Sequence, residues 1–277
     1  MDWFQALIAG AIQGITEFLP ISSSGHLVIF NTVFGEGEES NLAFTVFLHL
    51  ATLLSVVIVF RKDVWILIRG FFSAIADIIK GKPDFKSPER RFLLMVIIAT
   101  IPAVLAGALI KLLNVEGVLE NIFIVASMLI VTSIFMFSAD RLNRGKLTEA
   151  DTPLKTSLII GIFQAAAIFP GISRSGSTIF GGLARGLDKE FAVRFAFIMS
   201  IPAIVGAGLI EMIGVIRADN IEIIPASWLT GFIAAAVCGV LAINIIRLLI
   251  KKRVFYIFGI YCLLASAFAF LAGFGVI

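Results

Sequence analysis

The chain has 277 residues, 59% hydrophobic and 15% charged, with a formal net charge of +3 and a mean hydropathy of +1.04. A soluble domain typically carries about 25% charged residues; this composition excludes one, and repeated apolar runs near the roughly 20 residues that cross a bilayer predict an all-α polytopic membrane protein. The basic residues lie in loops beside those runs, which is a topology signal and argues against nucleic acid as a partner, and Cys238 and Cys262 both fall inside predicted spans, where a disulfide framework is not expected.

In chain order, residues 3–19 form an apolar helix ending at Phe18-Leu19-Pro20, too short and too polar at its end to span. No basic region precedes it, so a cleavable signal peptide is not expected. Residues 25–34 form a second short helix. The Pro/Ser/Gly break between them predicts a re-entrant hairpin, a backbone tolerated at membrane depth only where protein or a watery cavity covers it. An acidic loop at 35–40 leads to a first span at 41–60. Val64 to Ile79 reads as an interfacial amphipathic helix within a strongly basic segment, with Pro83 and Pro88 marking the loop after it.

Spans follow at 92–113, with a kink expected at Pro102, and at 121–138. Residues 156–185 repeat the hairpin pattern around Pro170-Gly171. Three more spans are expected at 190–213, 227–249 and 254–275, giving six spans and two re-entrant hairpins.

The loops at 61–91, 139–155 and 250–253 are basic; those at 35–40, 114–120 and 214–226 are not. Lys and Arg mark the cytoplasmic side. This alternation puts both termini outside and sends the two hairpins in from opposite faces. Each half, roughly 1–150 and 151–277, is then one unit of an inverted-topology repeat within a single membrane domain, with the site expected where the broken helices meet. A shift of 151 positions supports the duplication: Gly10, Gln13, Phe18, Ile21, Ser22, Ser24 and Gly25 fall on Gly161, Gln164, Phe169, Ile172, Ser173, Ser175 and Gly176.

The breaks carry the chemistry. Gln13 and Glu17 share one helix face. A carboxylate at this depth needs a partner, a metal or water, and serves as metal ligand, as general acid or base, or as a polar clamp between helices. Ser22, Ser23 and Ser24 precede a helix start, where hydroxyls and free N–H groups cradle phosphate oxygens or simply cap the helix; Ser23 is also a candidate nucleophile. His26, beside Gly25, is a candidate acid, phospho-nucleophile or metal ligand. The other histidine, His49, lies in a span and reads as a hydrogen-bonded core residue. Arg174 demands an anion, either phosphate or Glu17 itself. Ser173, Ser175, Ser177 and Thr178 add hydroxyls beside it. No P-loop, paired-Cys metal site, Gly-x-Ser-x-Gly elbow or His-Glu-x-x-His is present.

Gln13-Gly-Ile-Thr-Glu-Phe-Leu-Pro-Ile-Ser-Ser-Ser-Gly-His26 together with Pro170-Gly-Ile-Ser-Arg-Ser-Gly-Ser-Thr178 resembles the bacterial undecaprenyl-diphosphate phosphatase family, the bacitracin-resistance proteins, over the whole chain. The resemblance implies release of phosphate from a long-chain polyprenyl diphosphate, recycling the carrier for cell-wall synthesis. It implies a divalent cation (Mg2+ or Ca2+), an inner-membrane location with the pocket open to the outer face, and often a homodimer. Glu17 matches the second acidic position of the family's Glu/Gln-x-x-x-Glu motif and Gln13 the first, in its Gln form. Ser22, Ser23 and His26 match one motif; Pro170, Ser173, Arg174, Ser175 and Thr178 match the other. The rival from another class is a flippase or transporter of a polyprenyl phosphate, which an inverted repeat also suits.

Overall fold

Asp2 starts the first helix, α1 (Trp3–Phe18): its carboxylate accepts from the N–H groups of Phe4 and Gln5, and the Gln5 side chain accepts from the Asp2 N–H. A computed structural model describes residues 2–34, 42–81, 87–142, 145–217, 226–250 and 252–276, with helices throughout and one isolated bridge between Leu147 and Leu187. The acidic loop at 35–40, Pro83, Arg144, Asp219, Glu222 and Lys251 lie outside these residues.

After α1 come α2 (Ser23–Phe34), α3 (Leu42–Val59), α4 (Arg61–Ile79), α5 (Pro88–Leu113), the single turn α6 (Glu116–Leu119) and α7 (Ile122–Arg141). Then follow α8 (Leu154–Ala166), α9 (Arg174–Ala184), α10 (Lys189–Ile198), α11 (Ser200–Arg217), α12 (Ala226–Leu249) and α13 (Phe255–Gly273). Among the described residues, α5, α7, the run Lys189–Ile210, α12 and α13 are long and apolar enough to cross a membrane. The pair α3–α4, bent by 93°, supplies a sixth candidate. The chain is therefore a multi-pass membrane protein. Leu105, Leu112, Ile233, Leu248 and Leu264 are exposed on the outer surfaces of these helices, the surface a hydrocarbon solvent requires.

The span expected at 190–213 is present as the run Lys189–Ile210, with a one-residue interruption at Met199 between α10 and α11. Pro202 explains this: it has no N–H for the Ile198 carbonyl, and its ring crowds that carbonyl; the Ser200 hydroxyl bonds the Phe197 carbonyl beside the break. The amphipathic helix begins at Arg61 rather than Val64, with Asp63 in its first turn, where a negative charge is favourable.

The hairpins are held by helices distant in sequence. α1 packs along α12, and α8 packs along α5. Ala6, Gly10, Gly14 and Phe18 form the buried ridge of α1. A Cβ on Gly10 would lie 2.0 Å from the Gly231 carbonyl oxygen on α12; one on Gly161 of α8 would lie 2.4 Å from the Ala99 carbonyl oxygen on α5. Both approaches thus need glycine. α7 and α13 lie side by side, with α9 against α7 and α2 touching both.

One end of the bundle is rich in charge. Arg194 pairs with Asp63 and, at 3.0 Å, with Glu149. Lys189 Nζ donates to the Ile250 carbonyl at 2.9 Å. Arg194, Asp63, Glu149 and Ile250 line a cavity of about 650 Å³ together with Arg61, Lys62, Asp188 and Arg247. The Leu147–Leu187 bridge lies at this end too, closing the base of the α8–α9 hairpin. The α1–α2 hairpin starts elsewhere, where the Thr230 hydroxyl holds the Trp3 carbonyl at 3.0 Å.

Candidate active site

The tips of the two hairpins meet around one carboxylate. Glu17 ends α1, one helical turn beyond Gln13, so both side chains reach the same side. Gln13 Nε2 and Ser23 Oγ each donate to Glu17 Oε2 at 3.1 Å. Arg174, the first residue of α9, donates from Nη2 to Glu17 Oε1 at 2.5 Å. The pair is largely shielded: the Glu17 side chain is 8% exposed and that of Arg174 22%. In this low-dielectric setting the opposite charge keeps a carboxylate tolerable at depth.

Backbone and hydroxyls lock the tips together. Ser22 adopts φ +69° and Gly171 φ +99°. The strained Ser22 turns its Oγ to accept from the Gly171 N–H at 3.1 Å and the Gly25 N–H at 3.3 Å. Ser175 Oγ donates to the Leu19 carbonyl at 3.2 Å. A Cβ on Gly25 would lie 3.0 Å from Gly171 Cα, so the backbones are in contact. From α7, the buried Thr132 hydroxyl donates to the Gly171 carbonyl at 2.7 Å and accepts from the Ser173 N–H at 3.0 Å.

The two tips repeat one local design at the 151-residue shift. Ser22 accepts from Gly25 N–H, and Ser173 from Gly176 N–H. Ser22 contacts the Ser24 hydroxyl, and Ser173 the Ser175 hydroxyl. The positive ends of α2 and α9 therefore converge on the Glu17–Arg174 pair. First-turn N–H groups have no intrahelical acceptor, and two such ends beside a guanidinium make a ready site for a multiply charged anion.

The predicted residues divide into two sets, with His26 apart from both. Gln13, Glu17, Ser23 and Arg174 form one bonded cluster. Ser22, Ser173, Ser175 and Thr178 are buried and bonded mainly to backbone; Thr178 Oγ1 donates to the Arg174 carbonyl at 2.8 Å within α9. His26 sits to one side. Its Nδ1 is 2.7 Å from the Ser22 carbonyl, and its Nε2 2.7 Å from the Tyr261 hydroxyl on α13.

Sequence reasoning missed three neighbours. His49, read as a core residue, is half-buried on α3, on the side towards Glu17. Thr132 and Tyr261 reach the tips from predicted spans. A hydroxyl at a helical position in an apolar run was the available signal, but it does not say which neighbour it meets.

The donors at the tips set what cation they could hold. Among the described residues no three His, Cys, Asp or Glu side chains cluster. Glu17 supplies one carboxylate, already shared by three donors, and Gln13 an amide oxygen. Mg2+ and Ca2+ take oxygen ligands, and Mg2+ in particular is held by one or two carboxylates together with substrate phosphates and waters. The donor set fits a cation shared with a phosphate ligand rather than one caged by protein alone.

The fold and site thus define a polytopic membrane protein in which two hairpin tips meet at a buried Glu17–Arg174 pair. The chain belongs to the family described as "Bacitracin resistance protein BacA", whose model matches residues 6–268. A protein of Methanobrevibacter smithii named "Undecaprenyl-diphosphatase" is 44% identical over 277 residues, covering 98% of each chain. One of Methanosphaera stadtmanae with the same name is 41% identical over 267 residues, 95% of each. One of Alkaliphilus metalliredigens, also so named, is 38% identical over 262 residues, 94% of this chain and 95% of its own.

Proposed function

We propose that this chain is a membrane phosphatase that hydrolyses undecaprenyl diphosphate to undecaprenyl phosphate and inorganic phosphate, recycling the lipid carrier for cell-wall synthesis and giving bacitracin resistance. The observation that carries this reading is the Glu17–Arg174 pair, flanked by two helix starts and the Ser23 hydroxyl. A passive anion site needs the guanidinium and the N–H groups. Hydrolysis also needs a base in reach of a nucleophile, and Ser23 Oγ lies 3.1 Å from Glu17 Oε2.

The prenyl tail lies among the spans and the diphosphate enters between the tips. Its terminal phosphate takes over Arg174 from Glu17 and is further held by the N–H groups of the α2 and α9 starts, which Ser22, Ser173, Ser175 and Thr178 shape. Phosphoryl transfer asks mainly for positioning and charge neutralisation. Freed of Arg174, Glu17 takes the proton of the attacking group, water or Ser23; His26 supplies a proton to the departing lipid phosphate. With Ser23 attacking, a water then releases phosphate from the phosphoseryl group. Alternatively, Glu17 together with Gln13 would hold a divalent cation, which would supply charge neutralisation.

The architecture we infer is an inverted repeat of one hairpin and three spans per half. The exchange of packing partners supports it: first-half α1 rests on second-half α12, and second-half α8 on first-half α5. The cation-rich end carries Arg61, Lys62 and Arg247 and is cytoplasmic by the positive-inside rule. The termini and the mouth of the site then face outward.

Phosphate release from undecaprenyl diphosphate by the purified chain in detergent tests the activity. A flippase of polyprenyl phosphate would release none, yet would move its lipid across proteoliposomes.

A further inference from the structure

The two nitrogens of His26 are not equivalent. Nδ1 is 2.7 Å from the Ser22 carbonyl oxygen. A carbonyl only accepts, so Nδ1 must carry a hydrogen whatever the charge of the ring. The same carbonyl accepts the His26 backbone N–H at 3.3 Å, so one strained residue fixes both main chain and ring. Nε2 is left as the one ring nitrogen free to gain or lose a proton. It faces the Tyr261 hydroxyl at 2.7 Å. The two rings stack, with centroids 5.4 Å apart and planes 13° from parallel.

Tyr261 is itself firmly placed. Its neighbour Cys262 is buried and directs Sγ to the Pro20 carbonyl at 3.7 Å. On the same helix, Ser266 donates to the Ala126 carbonyl at 2.7 Å, and the Gly259 carbonyl accepts from Ser133 at 2.8 Å. These bonds tie α13 to α7, so the phenol is presented by a pair of packed spans rather than by a loop. A phenol hydroxyl donates to a neutral imidazole nitrogen and accepts from a protonated one. It can therefore hold Nε2 in both proton states.

We propose that Tyr261 is a positioning residue for the reaction: it holds His26 Nε2, the ring nitrogen able to exchange a proton, in one place beside the first hairpin tip. Its action rests on the reading of His26 as the acid of the proposed hydrolysis. The second half of the chain thus contributes to the first hairpin's chemistry through α13 as well as through Arg174.

The chain has two histidines, so histidine labelled with 15N gives two imidazoles, and His49→Gln assigns them. The expected spectrum shows His26 protonated at Nδ1. Tyr261→Phe keeps the stacked ring and removes only the hydroxyl; it shifts the Nε2 resonance of His26 and leaves Nδ1 protonated. In phosphate release, Tyr261→Phe lowers kcat on the order of tenfold and changes KM by less than about twofold. In a His26→Ala background the same substitution has no further effect, because the two residues act as one unit. An unmoved Nε2 resonance, or an equal loss of kcat with and without His26, overturns the proposal. Full turnover by His26→Ala alone would instead remove the catalytic reading of His26, while the Nε2 resonance would still decide whether Tyr261 holds the ring.

Discussion

Thr132→Val separates the geometry of the second hairpin tip from its packing. Thr132 is fully buried, and its hydroxyl makes two bonds to the tip, to the Gly171 carbonyl at 2.7 Å and from the Ser173 N–H at 3.0 Å. Valine fills nearly the same volume but leaves both backbone groups buried without a partner. Each such group costs about 1–3 kcal/mol, so the pair costs roughly 2–5 kcal/mol after partial relaxation. For a chain of this length, 1 kcal/mol corresponds to about 2–4 °C, which predicts a fall in Tm of roughly 4 °C or more. Ser173 precedes Arg174, so the guanidinium shifts with it and phosphate release falls on the order of tenfold or more. Thr132→Ser is the control: it keeps the hydroxyl and loses one methyl, about 1 kcal/mol, with turnover near wild type. The measurement is thermal unfolding of the purified proteins alongside phosphate release. A Thr132→Val protein that melts and turns over like Thr132→Ser would refute this account of the tip.

Arg174→Lys keeps the charge but not the planar fork; phosphate release should fall about a hundredfold, and near-normal turnover would show that a simple cation suffices. Gly10→Ala places a methyl 2.0 Å from the Gly231 carbonyl oxygen and should lower Tm, whereas Gly107→Ala, with open space around it, should leave Tm unchanged. Equal melting of the two would contradict the α1–α12 contact. Chelation should suppress turnover, and Mg2+ or Ca2+ should restore it; indifference to both would remove the cation from the mechanism.

Much of the fold was legible because a bilayer permits few solutions. Apolar runs gave the spans, and Pro20 and Pro170 with their neighbouring serines gave the two short-helix pairs. Glu17 and Arg174 stood out because ionised groups at such depth require partners, and here each is the other's partner. The interruption at Met199 was less visible, since Pro202 follows a one-residue interruption within one span while Pro102 sits within the continuous α5. The partners of the hairpins were not legible. Gly10, Gly14 and Gly161 announce close packing, but their neighbours lie on helices remote in sequence. Tyr261 and Thr132 look like ordinary polar residues of spans, and only the tertiary arrangement aims them at His26 and Ser173. His49 is a similar case: its position gave depth but not direction.

The central claim is that one hydrolytic site forms where the two hairpin tips meet. Phosphate release from undecaprenyl diphosphate, measured at saturating substrate for the wild-type chain, Glu17→Gln and Arg174→Ala, tests it most directly. The account predicts turnover by the wild-type chain and its near-complete loss in each variant, one from either hairpin. Full turnover in either variant would contradict it.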